Sequence, residues 1–264
     1  PLRGMGLVRD PDVMGGLTFR RLVSIPAMVL GGAAAFLAGL EKAQESGSVP
    51  GGPPGFDYEA IARRRDQVVK RMWTGLKSLI DKNKVTWIAG RARFEGPTTI
   101  RIALVAEDAT AAGERVITAK DVIIATGSRV KSLPGLVPDG RRIITSDDVT
   151  TKADLPKSIA IVGGGAVGSE FASLFHDLGV AVTLLEYLPG ILPLEDRDAS
   201  AALERSFTRR GIKVMTNARF DAALVKVSDD GVTLMVGREG GPAADLRVDR
   251  LLVAPARAPN PDNR

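Results

Sequence analysis

A chain of 264 residues with 44% hydrophobic and 25% charged side chains has a globular composition and is long enough for one large or two ordinary domains. Its net charge of +5 is dispersed among 31 acidic residues rather than gathered in a basic tail, which argues against a nucleic-acid partner. With no cysteine and one histidine, His176, these residues cannot form disulfides, thiolate metal sites, cysteine nucleophiles or multi-histidine centres, so no metal site is expected.

In chain order, residues 1–20 show little periodicity. Residues 22–40 carry no charge, follow Arg20 and Arg21, and are long enough to span a bilayer. Ser24, Pro26, Gly31, Gly32 and Gly39 dilute the stretch, and alanine makes it only mildly apolar. A buried helix over residues 27–44 is therefore expected, with no membrane association and a cytoplasmic location. The Pro/Gly loop at residues 50–55 ends it. A second helix opens at Asp57 as N-cap, with Glu59 in its first turn and an apolar stripe of Ile61, Val68, Met72, Leu76, Leu79 and Ile80. Arg63, Arg64 and Arg65 are expected on its solvated face. Short strands follow at residues 85–89, 98–105, 114–119 and 121–125, closed by a turn at Gly127 and Ser128.

A polar link at residues 150–157 with Pro156 marks a change of pattern, so domains are expected at 1–149 and 150–264. Beyond it come a strand (159–162), a helix (167–178) and a strand (181–185), which is a βαβ unit. A helix near 199–210, a strand near 213–215 and alternating segments to residue 254 complete an α/β domain: three layers around a mostly parallel, Rossmann-like sheet.

Gly163, Gly164, Gly165, Ala166, Val167 and Gly168 form a G-x-G-x-x-G sequence that directly follows the first strand and opens the helix. The first glycine permits a tight turn, the second lets a pyrophosphate approach the backbone, and the third allows close helix packing. The free N–H groups and dipole of the helix attract the phosphates. Glu186, after the second strand, stands at the interval expected of an acid that accepts hydrogen bonds from ribose hydroxyls. It would repel a 2′-phosphate, and no Arg or Lys lies between Tyr187 and Leu194 to offset that, so NAD(H) is expected over NADP(H). His176 has no catalytic partner at suitable spacing and reads as a boundary residue. The cluster Glu195, Asp196, Arg197 and Asp198 reads as the start of the next helix.

These motifs, with Arg63 to Val69, Lys82 to Val85, Ile124 to Ser128 and Leu192 to Asp196, resemble dihydrolipoamide dehydrogenase, within the flavin-dependent pyridine nucleotide–disulfide oxidoreductases, from about Gly16 to Asn260. The resemblance implies an NAD-binding domain attached to an incomplete FAD-binding domain. Gly90, Thr126, Gly127 and Ser128 would touch FAD; Gly163 to Gly168, Glu170 and Glu186 would hold NAD, with Glu170 near the nicotinamide. It implies lipoyl-bearing proteins as partners and a homodimer whose dimerisation domain is absent from this sequence.

The sequence departs from that family at three places. The redox cysteine positions are occupied by Phe19 and Ser24, and the lysine expected to pair with Glu170 is Met28. The N-terminal FAD glycine loop and the segment with the catalytic His-Glu pair are missing, so no catalytic residue is assigned. The family's Gly-Arg-x-Pro-Asn reads Ala256, Arg257, Ala258, Pro259 and Asn260, where Ala256 is expected to cost backbone freedom. The family reaction, NAD-dependent oxidation of dihydrolipoyl groups, is therefore expected to be reduced here to NAD(H) binding. The alternatives are a non-catalytic NAD-binding or interaction module, and a fragment without independent function.

Overall fold

The computed structural model describes residues 7–9, 30, 32–33, 35–37, 56–105, 113–131, 133–238 and 240–260. The first half contains β1 (Leu7–Arg9), α1 (Tyr58–Lys82), β2 (Trp87–Phe94), β3 (Thr99–Leu104), β4 (Gly113–Thr118) and β5 (Ser128–Val130). Then come β6 (Ile143–Thr145), α2 (Ser146–Val149), β7 (Ser158–Val162), α3 (Ala166–Asp177), β8 (Ala181–Leu185), α4 (Arg197–Arg210) and β9 (Lys213–Met215). The chain closes with β10 (Ala218–Arg219), β11 (Lys226–Ser228), β12 (Gly231–Arg238), β13 (Ala244–Val248), β14 (Arg250–Val253) and β15 (Arg257–Pro259), the last paired with β5.

Two compact units result: Pro1–Pro26, Arg65–Arg129 and Ala258–Arg264 form the first, Ala27–Arg64 and Val130–Arg257 the second. The division falls before residue 149 because β6 pairs in parallel with β14, which ties residues 143–145 to the later sheet.

In the first unit β1 lies parallel to β2, and β2, β3 and β4 form an antiparallel meander. Alternation in β2 and β3 turns Ile88, Ile100 and Ile102 to one buried face, where Phe94, Leu104 and Ile117 pack against them. Trp73 of α1 meets Trp87 edge-on, ring centroids 6.0 Å apart. That contact belongs to a face of α1 different from the expected one. Of the expected stripe Ile80 is buried and Ile61 and Val68 half-buried, but Met72, Leu76 and Leu79 are exposed, and Ala62, Arg65 and Val69 are buried instead. The helix carries apolar residues on more than one face, and tertiary packing chose between them. Arg65 is thus a correction too: it is 1% exposed, its Nε donating to Asp66 Oδ1 at 2.9 Å, while Arg63 and Arg64 remain exposed.

The strand expected at residues 121–125 does not form: no described strand pairs with it, and Ile123 and Ile124 are exposed. β-branched composition favours a pleated, half-buried surface, but a strand needs a ladder partner to satisfy its backbone.

The second unit is built on the parallel sheet β6-β14-β7-β8-β9. Strict alternation assigns its side chains to two cores. Ile144, Ile159, Ile161, Leu184 and Leu252 face one side with Phe171, Leu174, Phe175 and Phe207 of the helices. Ala160, Val162, Leu185, Leu251 and Val253 face the other, against Val232, Leu234 and Val236 of an antiparallel layer in which β12 pairs with β10, β11 and β13. Each fully buried Ile or Leu contributes about 1.5–3 kcal/mol, so burial on both faces makes β7 the anchor of the fold. Of the helix expected at 27–44, residues 30, 32–33 and 35–37 are described and helical, and Leu30 and Leu37 are buried in the first of these cores. The loop at 50–55 lies outside the described residues, and among those described no helix is long and apolar enough to cross a membrane.

α4 begins as its acidic cluster predicts: Asp196 caps it by accepting from the backbone N–H of Asp198 at 2.9 Å and Ala199 at 3.3 Å. It ends at Gly211, φ 96°, which turns the chain into β9.

Candidate functional site

The site lies at the carboxyl ends of β7 and β8, where open α/β sheets place their ligands. β7 runs into Gly163, whose φ of 106° suits glycine and whose N–H donates to Leu185 O at 2.9 Å. A Cβ there would collide with the carbonyl of Ala254 and lie 2.9 Å from Pro255 Cα. A Cβ on Gly168 would strike the carbonyl of Gly163, so the third glycine of the motif sets the close packing of α3 on the turn.

Gly165 is the N-cap of α3 and makes no side-chain cap bond, so no side chain covers the first N–H groups of the helix in the manner of a cap. A Cβ on Gly165 would meet nothing within 4 Å, which marks an open approach to that terminus. Uncapped N–H groups, the positive end of the helix dipole and room for backbone approach suit a pyrophosphate. Ala166 is exposed and Val167 half-buried beside it.

Glu186 closes the other side. It is 7% exposed; its Oε2 accepts from Gly164 N at 2.6 Å and its Oε1 from Leu188 N at 2.8 Å. The carboxylate therefore holds the glycine loop and the segment after β8 together. Each oxygen has a second lone pair, so accepting two ribose hydroxyls remains compatible with both bonds. Leu192, with φ 49°, donates its N–H to Gly164 O at 2.7 Å and fixes the loop from a third direction. Bulky residues rarely adopt that backbone region, which places local strain beside the site.

Other expected residues fall as follows. Glu170 is exposed on α3, and His176 is half-buried at the same helix's end. Ala256 is exposed, and among the described residues the non-glycine positions with positive φ are Lys84, Leu192 and Asn217. Ala256 thus bears no left-handed strain, contrary to the expected backbone cost, and its carbonyl accepts from Lys131 N at 2.9 Å. Phe19, Ser24 and Met28 lie outside the described residues.

In the first unit Thr126 Oγ1 donates to Asn260 O at 2.8 Å, Asn260 Nδ2 donates to Thr126 O at 3.1 Å, and Asn260 N donates to Gly127 O at 3.1 Å. The two motifs that carry the family resemblance here, residues 126–128 and Asn260, are therefore zipped together, with Ser128 half-buried beside them. Gly90 is required by packing: a Cβ would collide with Ala103 O and the Ile102 side chain on β3. Among the described residues of this unit there is no glycine-rich strand-to-helix turn of the kind that cradles a flavin's phosphates.

One residue beside the site escaped the sequence reading. The guanidinium of Arg219 lies over the ring of Tyr187, 3.7 Å from Cζ to centroid, and its Nη1 donates to Tyr187 O at 2.8 Å. Arg219 arrives from β10, outside the segment that follows Glu186 in sequence. Backbone bonds from Glu186 N to Met215 O and from Ala218 N to Glu186 O, each 2.8 Å, bring it there.

A strand, an uncapped glycine turn opening a helix, and a buried acid after the next strand form a βαβ unit whose geometry suits a dinucleotide. Residues 25–264 match the model of the pyridine nucleotide-disulphide oxidoreductases, and the chain belongs to that family. It is 34% identical over 210 residues to dihydrolipoyl dehydrogenase of Zymomonas mobilis, covering 80% of this chain and 44% of that protein. The enzyme of the same name from Bacillus subtilis is 35% identical over 213 residues, covering 78% of this chain and 44% of its own length. The chain thus spans less than half the length of these curated relatives. The crystal structure of LpdA from Mycobacterium tuberculosis superposes with a TM-score of 0.75 at 27% identity, covering 89% of this chain and 49% of that one. A copper(II) complex of a variant of the HOCl-induced flavoprotein disulfide reductase RclA from Escherichia coli gives 0.74 at 25% identity, covering 98% and 53%.

Proposed function

We propose that this chain binds NAD(H) through residues 163–168 and Glu186, as the nucleotide-binding part of a dihydrolipoyl dehydrogenase-like oxidoreductase. The observation that carries the reading is the Glu186 carboxylate held against Gly164 N–H, next to the uncapped amino terminus of α3. The phosphates take the helix terminus, the adenosine ribose takes Glu186, and Glu170, one turn along the exposed side of α3, stands toward the nicotinamide end.

These residues alone lack the sulfurs that dihydrolipoyl oxidation in this family uses. A dithiol passes two electrons through its own sulfurs, and a sequence with no cysteine supplies neither sulfur. Lipoyl-bearing proteins are the partners the relatives' name suggests, and FAD is the second cofactor of the family; both belong to the reading only where further residues complete the site. A cytoplasmic location is part of the same reading.

The test is a titration of the purified chain with NADH, followed by nicotinamide fluorescence, with Glu186→Ala alongside. Saturable binding that weakens at least about tenfold in the variant, roughly 1.4 kcal/mol, is expected. A folded chain that leaves NADH fluorescence unchanged refutes the proposal.

A further inference from the structure

The glycine turn can present its N–H groups only while one peptide plane is held. Gly164 is buried, and both of its backbone groups are engaged. Its N–H donates to Glu186 Oε2 at 2.6 Å; its carbonyl accepts from Leu192 N at 2.7 Å and from the hydroxyl of Ser169 at 3.2 Å. Two donors use both lone pairs of that oxygen. Ser169 stands in the first turn of α3 and is 4% exposed. A serine in a helix commonly returns its proton to the carbonyl four residues back. That carbonyl, Gly165 O, already accepts Ser169 N at 2.9 Å, and the hydroxyl reaches one residue further. No peptide bond among the described residues is cis, so the carbonyl of Gly164 and the N–H of Gly165 lie in one plane and point in opposite directions. Drawing the carbonyl inward therefore turns the Gly165 N–H outward, at a residue where an added Cβ would meet nothing within 4 Å.

We propose that Ser169 is a positioning residue for the pyrophosphate: by gripping the Gly164 carbonyl from within α3, it keeps the Gly165 N–H aimed at the ligand. The inference rests on the proposed nucleotide site. Ser169 is almost wholly buried and acts through that plane rather than on the ligand. The plane has a glycine on each side, so rotating it meets little steric resistance. Such a rotation would swing the N–H away and bring a carbonyl oxygen toward the phosphates. Leu192 opposes it from a strained backbone, φ 49°, and Ser169 opposes it from a regular helix. Holding the plane before the ligand arrives removes its ordering from the cost of association.

The experiment titrates the isotope-labelled chain with NADH by NMR and compares wild type, Ser169→Ala and Ser169→Thr. Two amides report separately at saturation: Gly165 at the phosphate end, and Leu188, which donates to Glu186 Oε1, at the ribose end. Alanine suits a helix and Gly164 O keeps the Leu192 N–H, so Ser169→Ala is expected to unfold close to the wild-type temperature. It is expected to lose about three- to tenfold in NADH affinity, the range of one hydrogen bond. Its Gly165 amide should shift less on NADH binding than in the wild type, with the Leu188 response unchanged. Ser169→Thr, which retains a hydroxyl, should recover both affinity and the Gly165 shift. Unchanged affinity and Gly165 response in Ser169→Ala overturn the inference and leave the NAD(H) reading standing. So does a wild type whose Gly165 amide ignores saturating NADH. A loss in which both amide responses fall together assigns Ser169 a structural role and overturns the inference, whereas a folded wild type that does not bind NADH overturns both readings.

Discussion

Replacing Glu186 by glutamine separates the structural task of this residue from its task toward a ligand. The carboxylate is 7% exposed and accepts two backbone N–H groups, Gly164 at 2.6 Å and Leu188 at 2.8 Å. Glutamine offers one carbonyl oxygen and turns its NH₂ toward the second donor. One buried N–H is left without an acceptor, at a cost of about 1–3 kcal/mol. Taking about 2 kcal/mol, and a slope of about 2–4 °C per kcal/mol for a unit of this size, Glu186→Gln should lower the unfolding midpoint by roughly 4–8 °C. Both tryptophans, Trp73 and Trp87, belong to the first unit, so their fluorescence is a poor reporter of this change. Amide hydrogen exchange is the sharper assay: the Gly164 and Leu188 amides should lose protection selectively in the variant, without any ligand. A variant with unchanged midpoint and unchanged protection at both amides would show that the carboxylate does not hold the loop.

Two further outcomes follow from single positions. Gly163→Ala combines a φ of 106° with a Cβ driven into Ala254 and Pro255; it should cost at least about 2 kcal/mol and abolish NADH binding, and an unaltered urea midpoint would contradict the glycine's role. At Asp139, burial opposes ionisation most strongly, but the backbone N–H groups of Arg141, Ile143 and Arg142 together outweigh it and hold the carboxyl below its ordinary value of 3.8. A depressed folded value means that the stabilisation is present above the unfolded value and lost as pH falls through the folded one. Asp139→Asn should therefore be less stable by about 1 kcal/mol at neutral pH, and the difference from wild type should vanish in acid below the carboxylate range; a pH-independent difference in urea unfolding would refute this.

The βαβ unit was legible because its signals are local. Alternation in β7, the glycine spacing, the helical repeat of α3 and the acid after β8 all lie within one stretch of chain, and each depends on neighbours a few residues away. The same holds for Asp196, whose cap needs only the two N–H groups that follow it. Readings that depended on a distant partner fared differently. The apolar run Val122, Ile123 and Ile124 has the composition of a strand without a paired neighbour, and α1 could have buried either of two faces until Trp73 met Trp87.

Arg219 shows why the neighbours of Glu186 are hard to read from the segment after the acid alone. Its distance from Glu186 in sequence is large, but β8 and β9 pair in parallel, and the chain beyond β9 continues alongside the chain beyond β8 through Ala218 N and Glu186 O. The start of β10 is therefore carried beside the segment after β8 by this pairing, whatever residues occupy it. The two segments are delivered by separate strands, and only the pairing register shows that they meet.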